Sequence, residues 1–318
     1  MDTRPDLAPP QVRDLTAQLS ARLVGHERLI ERLLIALLTG GHLLVEGAPG
    51  LAKTRAVRTL SEAVSGSTAR IQCTPDLMPS DLTGTPVWRP ETGIFEFVRG
   101  PVFHNLVLVD EINRAPPKVQ SALLEAMAEG QVTAGGETHI LPDPFLVIAT
   151  QNPIEHEGTF PLPEAQLDRF LLHTVLALPG IETERRILDL VEGESLGGVS
   201  MPGPMPLDAL RAARAEVRRV HLAPELRDYI VRLVIATREG DLSRDIEHAA
   251  SPRGSLALAA AGRARAWLQG RDFVLPEDVA ELAPDALAHR MVLTWRAVAE
   301  GRTTRDIVAD ILRAVDPL

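Results

Sequence analysis

Cysteine is nearly absent from this 318-residue chain: Cys73 stands alone, so no disulfide can form within one copy. That usage suits a reducing cytoplasm, and Cys73 reads as a small buried hydrophobe at the end of a strand. Aromatic residues make up only 3% of the sequence, too few to build stacking platforms for single-stranded nucleic acid. The net charge is −10, which speaks against a free-standing nucleic-acid binder, though not against a local basic patch. No apolar run approaches the roughly 20 residues of a membrane span. The polar start, residues 1–11, has no apolar stretch of signal-peptide length. No heptad or longer repeat stands out. Lysine is scarce as well: of 33 lysines and arginines, only Lys53 and Lys118 are lysine. A chain that uses arginine nearly everywhere keeps lysine where a slim point charge must enter a narrow cradle.

What remains is an ordinary globular composition, 45% hydrophobic and 24% charged, in a chain long enough for two domains. Its organising stretch is Gly47-Ala48-Pro49-Gly50-Leu51-Ala52-Lys53-Thr54. The apolar run His42–Glu46 before it reads as a buried strand, and the segment from Arg55 to Leu60 after it as a helix. Strand, glycine-bearing loop, Lys-Thr and helix make a phosphate-binding loop. Gly47 and Gly50 let backbone wrap an anion, and the helix aims unpaired N–H groups at the same point. Lys53 is suited to the β- and γ-phosphates and the Thr54 hydroxyl to Mg²⁺. Such loops usually carry Gly before the Lys; here Ala52 requires a helical φ to be comfortable.

Upstream, residues 1 to about 12 read as a loose tail, Val12–Leu23 as a helix, and Arg28–Leu38 as a second helix with Leu29, Leu33, Ala36 and Leu37 on its apolar face. Downstream, strands are expected at Arg70–Cys73, Leu106–Val109, Phe145–Thr150 and Phe170–Leu178. Hairpins are expected at Val87–Phe97 and Gln131–Ile140, and a proline-started helix at Pro116–Glu129. Beyond Pro179-Gly180 the strand pattern disappears, and six helical segments follow a Gly/Pro/Ser-rich connector at Gly193–Pro206 or flank it. The expected fold is α/β, a parallel sheet with helices on both faces over residues 1–180, followed by an all-α lid over 181–318.

Asp110-Glu111 ends the cleanest buried strand, at the carboxyl edge where open α/β sheets bind ligands. Asp110 fits a carboxylate on the Mg²⁺ side, and Glu111 a general base that polarises an attacking water. Asn152 closes the strand Phe145–Thr150 and is placed to orient water near a γ-phosphate. Arg169, before the last strand, and Arg253, in Ser251-Pro252-Arg253-Gly254, are candidates to neutralise charge on a transferred phosphoryl group.

The order of these motifs resembles an AAA+ ATPase. Within that group the chain closely resembles the MoxR family, through the loop with Ala52, Gln72–Asp81, Asp110–Ala115, Ala149–Pro153 and Gly158–Phe170. The likeness runs over roughly residues 20 to 315, and Ala52 is usual in that family. It implies a Walker A motif at Lys53 and Thr54, with Gly47–Arg55 around ATP, and a Walker B motif at Asp110 and Glu111. Asn152 is implied as sensor 1, Arg169 as an arginine finger acting on a neighbour's ATP, and Arg253 as sensor 2 within its own subunit. Val24-Gly25 are implied to flank the adenine, with His26 where relatives often have Gln. The hairpins match inserts that face a ring pore in relatives. The resemblance further implies a homo-oligomer, a hexameric ring, working with a von Willebrand factor A-type partner on a client complex, including cofactor insertion. Rival readings are a nucleic-acid-acting motor, disfavoured by the acidic charge, and an ATP-gated scaffold of low turnover, disfavoured by intact Glu111 and Asn152. A small-molecule kinase is disfavoured because no acceptor site is visible.

Overall fold

The computed structural model describes residues 9–153, 158–195 and 203–317. Residues 1–8 of the expected tail and 196–202 of the expected connector therefore lie outside the described residues. The chain opens with helices α1 (Pro10–Arg22) and α2 (Glu27–Thr39), strand β1 (Leu43–Glu46) and α3 (Lys53–Ala63). The tail is shorter than expected because Pro10 already starts α1, a position where proline lacks only a donor that would be unused. Next come β2 (Thr68–Gln72), α4 (Pro79–Thr83), β3 (Gly84–Arg89), β4 (Ile94–Arg99) and β5 (Leu106–Asp110). They are followed by α5 (Pro117–Glu129), β6 (Gln131–Ala134), β7 (Glu137–Ile140), β8 (Leu146–Gln151), α6 (Glu164–Leu167) and β9 (Leu172–Val175). The helical half contains α7 (Ile181–Ser195), α8 (Leu207–Arg219), α9 (Pro224–Ile235), β10 (Ile246–His248) and α10 (Pro252–Leu268). It ends with α11 (Pro276–Leu287), β11 (Val292–Leu293), α12 (Trp295–Ala299) and α13 (Thr304–Ala314).

Five strands form one parallel sheet in the order β2-β5-β8-β1-β9. Its two faces explain the unbroken apolar runs. Leu43, Val45, Leu106, Leu108 and Ile148 point into one hydrophobic cluster, while Leu44, Val107, Val109, Val147 and Ala149 point into another. A strand covered on both faces has no polar side to alternate with. The second cluster is roofed by α5 through Val119, Leu123 and Leu124. The first takes in α2 and α3 and continues without a break into Leu210, Leu233, Leu258 and Leu282 of the helical half.

That continuity corrects the reading of α2. It is not a one-faced helix: Leu29, Ile30 and every residue from Arg32 to Leu38 are buried. The reason is that α2 lies between β1 and β9 on one side and α8 and α10 on the other. From Arg32 to Leu38 the helix is enclosed all round and so apolar all round, and its one charge there, Arg32, is paired: Nε donates to Asp285 of α11 at 2.8 Å. Burial alone raises the Asp285 carboxyl, but Arg32, Arg28 and Arg305 together hold it below the ordinary carboxylate value.

His42, just before β1, is sealed in by neighbours. Its Nδ1 accepts from the Val147 N–H at 3.0 Å and its Nε2 donates to the Met127 carbonyl at 3.2 Å. Burial drives its pKa from 6.5 to about 4.

Outside the sheet, β3–β4 and β6–β7 are the two expected hairpins, the first extending to Gly84↔Arg99. The second turns on Gly135 and Gly136, both with φ above +60°, the geometry that two-residue hairpin loops favour. The hairpins touch through Phe97 stacked on His139, ring centroids 4.0 Å apart. Trp88, Ile94, Phe95 and Ile140 remain exposed on them. The helical half differs from expectation in the short helix α12 and in β10 and β11, which pair as a short antiparallel ribbon. At three and two residues they are too short to show an alternating pattern. No helix among the described residues is long and apolar enough to cross a membrane.

Candidate nucleotide site

The carboxyl ends of β1, β5 and β8 are adjacent, so the loops leaving them converge. Between them lies a cleft of about 360 Å³, lined by Pro49 to Arg55, Arg70, Gln72, Asp110, Glu111, Thr150 and Asn152. Gly47 and Ala48 belong to the same loop but are not among the lining residues. Lys53 Nζ donates to the Gly47 carbonyl and, at 3.3 Å, to the Gln151 carbonyl. The lysine is thus folded against its own loop, within reach of the cradle.

The cradle fits a phosphate chain on two grounds. Helix α3 has no side-chain cap at its N-terminus, which leaves first-turn N–H groups for an anion. Gly50 sits at φ +84° with nothing within 4 Å of where a Cβ would stand, so the loop is open on that side. Ala52 is a surprise. Its φ and ψ are +53° and +18°, left-handed rather than helical, a conformation that costs an L-residue about 1–2 kcal/mol. The turn into α3 forces it, and the methyl group is carried there under strain.

Asp110 is buried and receives the Thr54 hydroxyl at 3.5 Å, the Thr150 hydroxyl at 3.2 Å and Arg70 Nε at 2.7 Å. This cluster of hydroxyl and carboxylate oxygens suits a hard cation such as Mg²⁺. Glu111 follows in left-handed backbone, φ +56°, its N–H donating to Thr150 Oγ1 at 3.0 Å. Its carboxylate accepts from Gln72 Nε2 at 3.2 Å and pairs with Arg114 at 3.2 Å. Thr150 is therefore the joint between both acids, taking a hydrogen bond from one and giving one to the other. Asn152, 3% exposed, reaches the cleft wall, and its carbonyl accepts from Asn113 Nδ2 at 3.3 Å.

Gln72 and Thr150 fall within motifs quoted for the resemblance, but neither they nor Arg70 were given a role from the sequence. Arg70 and Gln72 share one face of β2, two residues apart, and β2 lies beside β5 in register. That spacing was readable, but the neighbour was not.

Val24 and Gly25 follow the end of α1, which is tied to α3 by Arg55, whose Nε donates to the Arg22 carbonyl at 3.0 Å. They do not line the cleft itself. Gly25 sits at φ +80°, and a Cβ there would meet Thr183 Cγ2 of α7 at 2.1 Å, so only glycine fits. Burial lowers the pKa of the adjacent His26.

The two arginines stand apart from their own chain's cleft. Arg169 donates from Nη1 to the Leu124 carbonyl of α5 at 3.1 Å. Arg253 pairs with Asp168 at 3.4 Å, and Asp168 also receives Ser251 and Arg290. Neither arginine is among the cleft-lining residues. Arg253, expected to serve its own subunit, pairs here with Asp168, the residue before Arg169 in the chain, and does not line its own cleft. Burial brings the Arg290 guanidinium down to about 10, against the opposing pull of Asp168.

Comparison with known proteins bears on the family and the fold. A family described as ATPase family associated with various cellular activities (AAA) matches residues 42–172, and an AAA lid domain matches 238–311. The chain is 46% identical to the Chaperone MoxR1 of Mycobacterium tuberculosis over 92% of this chain and 78% of the relative. It is 33% identical to Protein MoxR of Methylorubrum extorquens over 94% of this chain and 91% of the relative. The crystal structure of a candidate ATPase from Cytophaga hutchinsonii superposes with a TM-score of 0.88 at 43% identity, covering 96% of this chain and 94% of that one.

Proposed function

Because the chain belongs to the MoxR family of AAA+ ATPases, we propose that it hydrolyses ATP in a ring of identical subunits, six in number, in the cytoplasm. The motion is used to remodel or help assemble a client protein complex. Residues 1–180 serve as the nucleotide-binding half and 181–318 as the lid. The observation that carries the reading is the division of labour around the cleft: one set of groups converges on it while Arg169 is held outside.

In this reading the N–H groups at the start of α3 and Lys53 hold the phosphates, and Val24-Gly25 lie beside the adenine. Thr54 and Asp110 hold Mg²⁺, which when bound supplies positive charge against the β- and γ-phosphates. Glu111 takes the proton of the attacking water, and Asn152 orients that water. For Glu111 to act, its carboxylate must leave Gln72 and Arg114. Arg169 completes the cleft of the neighbouring subunit and neutralises charge as the phosphoryl group departs, and Arg253, paired with Asp168 at rest, serves as sensor 2. Loss of the γ-phosphate releases that contact and lets lid and core shift. The exposed Trp88, Ile94, Phe95 and Ile140 then move against the client. A von Willebrand factor A-type protein is the expected adaptor, and metal-cofactor insertion is work of the same kind.

The test is Glu111→Gln, assayed for turnover with ATP binding measured in parallel. Binding should persist while hydrolysis falls by about 10²-fold or more. Retained hydrolysis removes Glu111 from the base role.

A further inference from the structure

We propose that Asp168 and Arg290 are positioning residues that bind the Arg169 loop to the lid, so that finger and lid move as one body. The inference rests on the shared-cleft reading above.

Asp168 and Arg169 belong to the α/β half, in the turn between α6 and β9. Ser251 and Arg253 begin α10, and Arg290 closes the short turn after α11. One carboxylate gathers all of them. Asp168 accepts from Ser251 Oγ at 2.9 Å, Arg290 Nε at 3.0 Å and Arg253 Nη1 at 3.4 Å. Arg290 also grips the backbone on both sides of the finger. Its Nη2 donates to the carbonyls of Asp168 at 3.3 Å and Phe170 at 2.6 Å, and its Nη1 to that of Leu171 at 3.3 Å. The peptide that carries Arg169 is thus held by one lid side chain.

This grip is shielded. Arg290 is 7% exposed and Phe170 fully buried, so water competes little for these charge-assisted bonds. Ser251 also shapes the helix it begins, because its Oγ accepts the Arg253 N–H at 3.1 Å and caps α10. The direction of Arg253 therefore follows from the carboxylate that steadies Arg169. A lid displaced by the nucleotide state of its own cleft carries both arginines with it, and the next subunit feels the change. Because a misplacement of about 1 Å can cost on the order of 10²-fold in rate, a rigid mount matters.

The experiment is mixed-ring complementation. Asp168→Asn keeps the shape and the Ser251 contact but removes the charge; Arg290→Lys is a second variant in case the first folds poorly, with thermal unfolding as the check. Alone, each should lose roughly tenfold to a hundredfold in kcat while KM for ATP changes little. Mixed with Lys53→Ala chains, which have a disabled cleft but an intact finger mount, turnover should recover. A variant that is merely misfolded gains nothing from such a neighbour. Arg169→Ala mixed with Lys53→Ala is the control. If that control fails to recover, the shared cleft falls and this inference with it. If the control recovers but the two variants do not, or if they keep full turnover alone, the positioning role is refuted and the shared cleft stands.

Discussion

Acidification should weaken this protein well before its carboxylates are protonated, and His42 is the reason. In the folded chain the imidazole has one nitrogen accepting from Val147 and the other donating to Met127, a pattern only the neutral ring can satisfy. Its pKa is pushed from 6.5 to about 4. Between those values the unfolded chain binds a proton that the folded chain refuses, so stability falls as pH drops through that window. The loss starts near pH 6.5 and is complete near pH 4. At about 1.4 kcal/mol for each tenfold change in proton affinity, His42 alone costs about 3 kcal/mol in total and about 2 kcal/mol by about pH 5. His289, also buried and also depressed, adds in the same direction. The carboxylates held below their usual range, such as Asp285 and Asp278, contribute only at lower pH. Urea unfolding at about pH 7 and about pH 5 measures the sum, and a carbon-detected titration of the imidazole measures His42 itself. A His42 resonance that titrates in the native spectrum near the ordinary value of 6.5 would refute the argument.

Two further outcomes follow from strain and from buried charge. Ala52→Gly should raise stability by about 0.5–1 kcal/mol, because relief at φ +53° exceeds the extra entropy of glycine in the unfolded chain; a lower melting temperature with ATP binding intact would contradict it. Asp285→Ala should cost about 3–5 kcal/mol, since it leaves the fully buried Arg32 without its closest acceptor on α11; a loss under about 1 kcal/mol in urea unfolding would show that Glu31 and Glu281 suffice.

The phosphate loop and the strands around it were legible because each carries its own local signature. A run such as Leu106–Val109 has only one comfortable place, inside a sheet covered twice. Asp110 and Glu111 could be read from where that run stops. Thr150 could not, because its role comes from a neighbouring strand 40 residues away from Asp110 in the chain. Asp168 and Arg290 meet across 122 residues, and nothing near either one announces the other. The left-handed backbone of Ala52 escaped for another reason: alanine prefers helix, and the loop overrides it. The burial of α2 on all sides was foreshadowed by Leu33-Leu34-Ile35-Ala36-Leu37-Leu38, six apolar residues in a row, which no one-faced helix needs.

That helix also limits how this molecule can work. With α2 wedged between the sheet and α8 and α10, the packed surface along this helix gives the C-terminal half no free swing away from the sheet. A large excursion would bare leucines that now touch on both flanks, at a cost no single phosphate contact could meet. The motions left open are short slides of one packed surface over another. In the ring proposed above, work on a client would come from many small strokes, each only as long as a side chain can shift without letting water in.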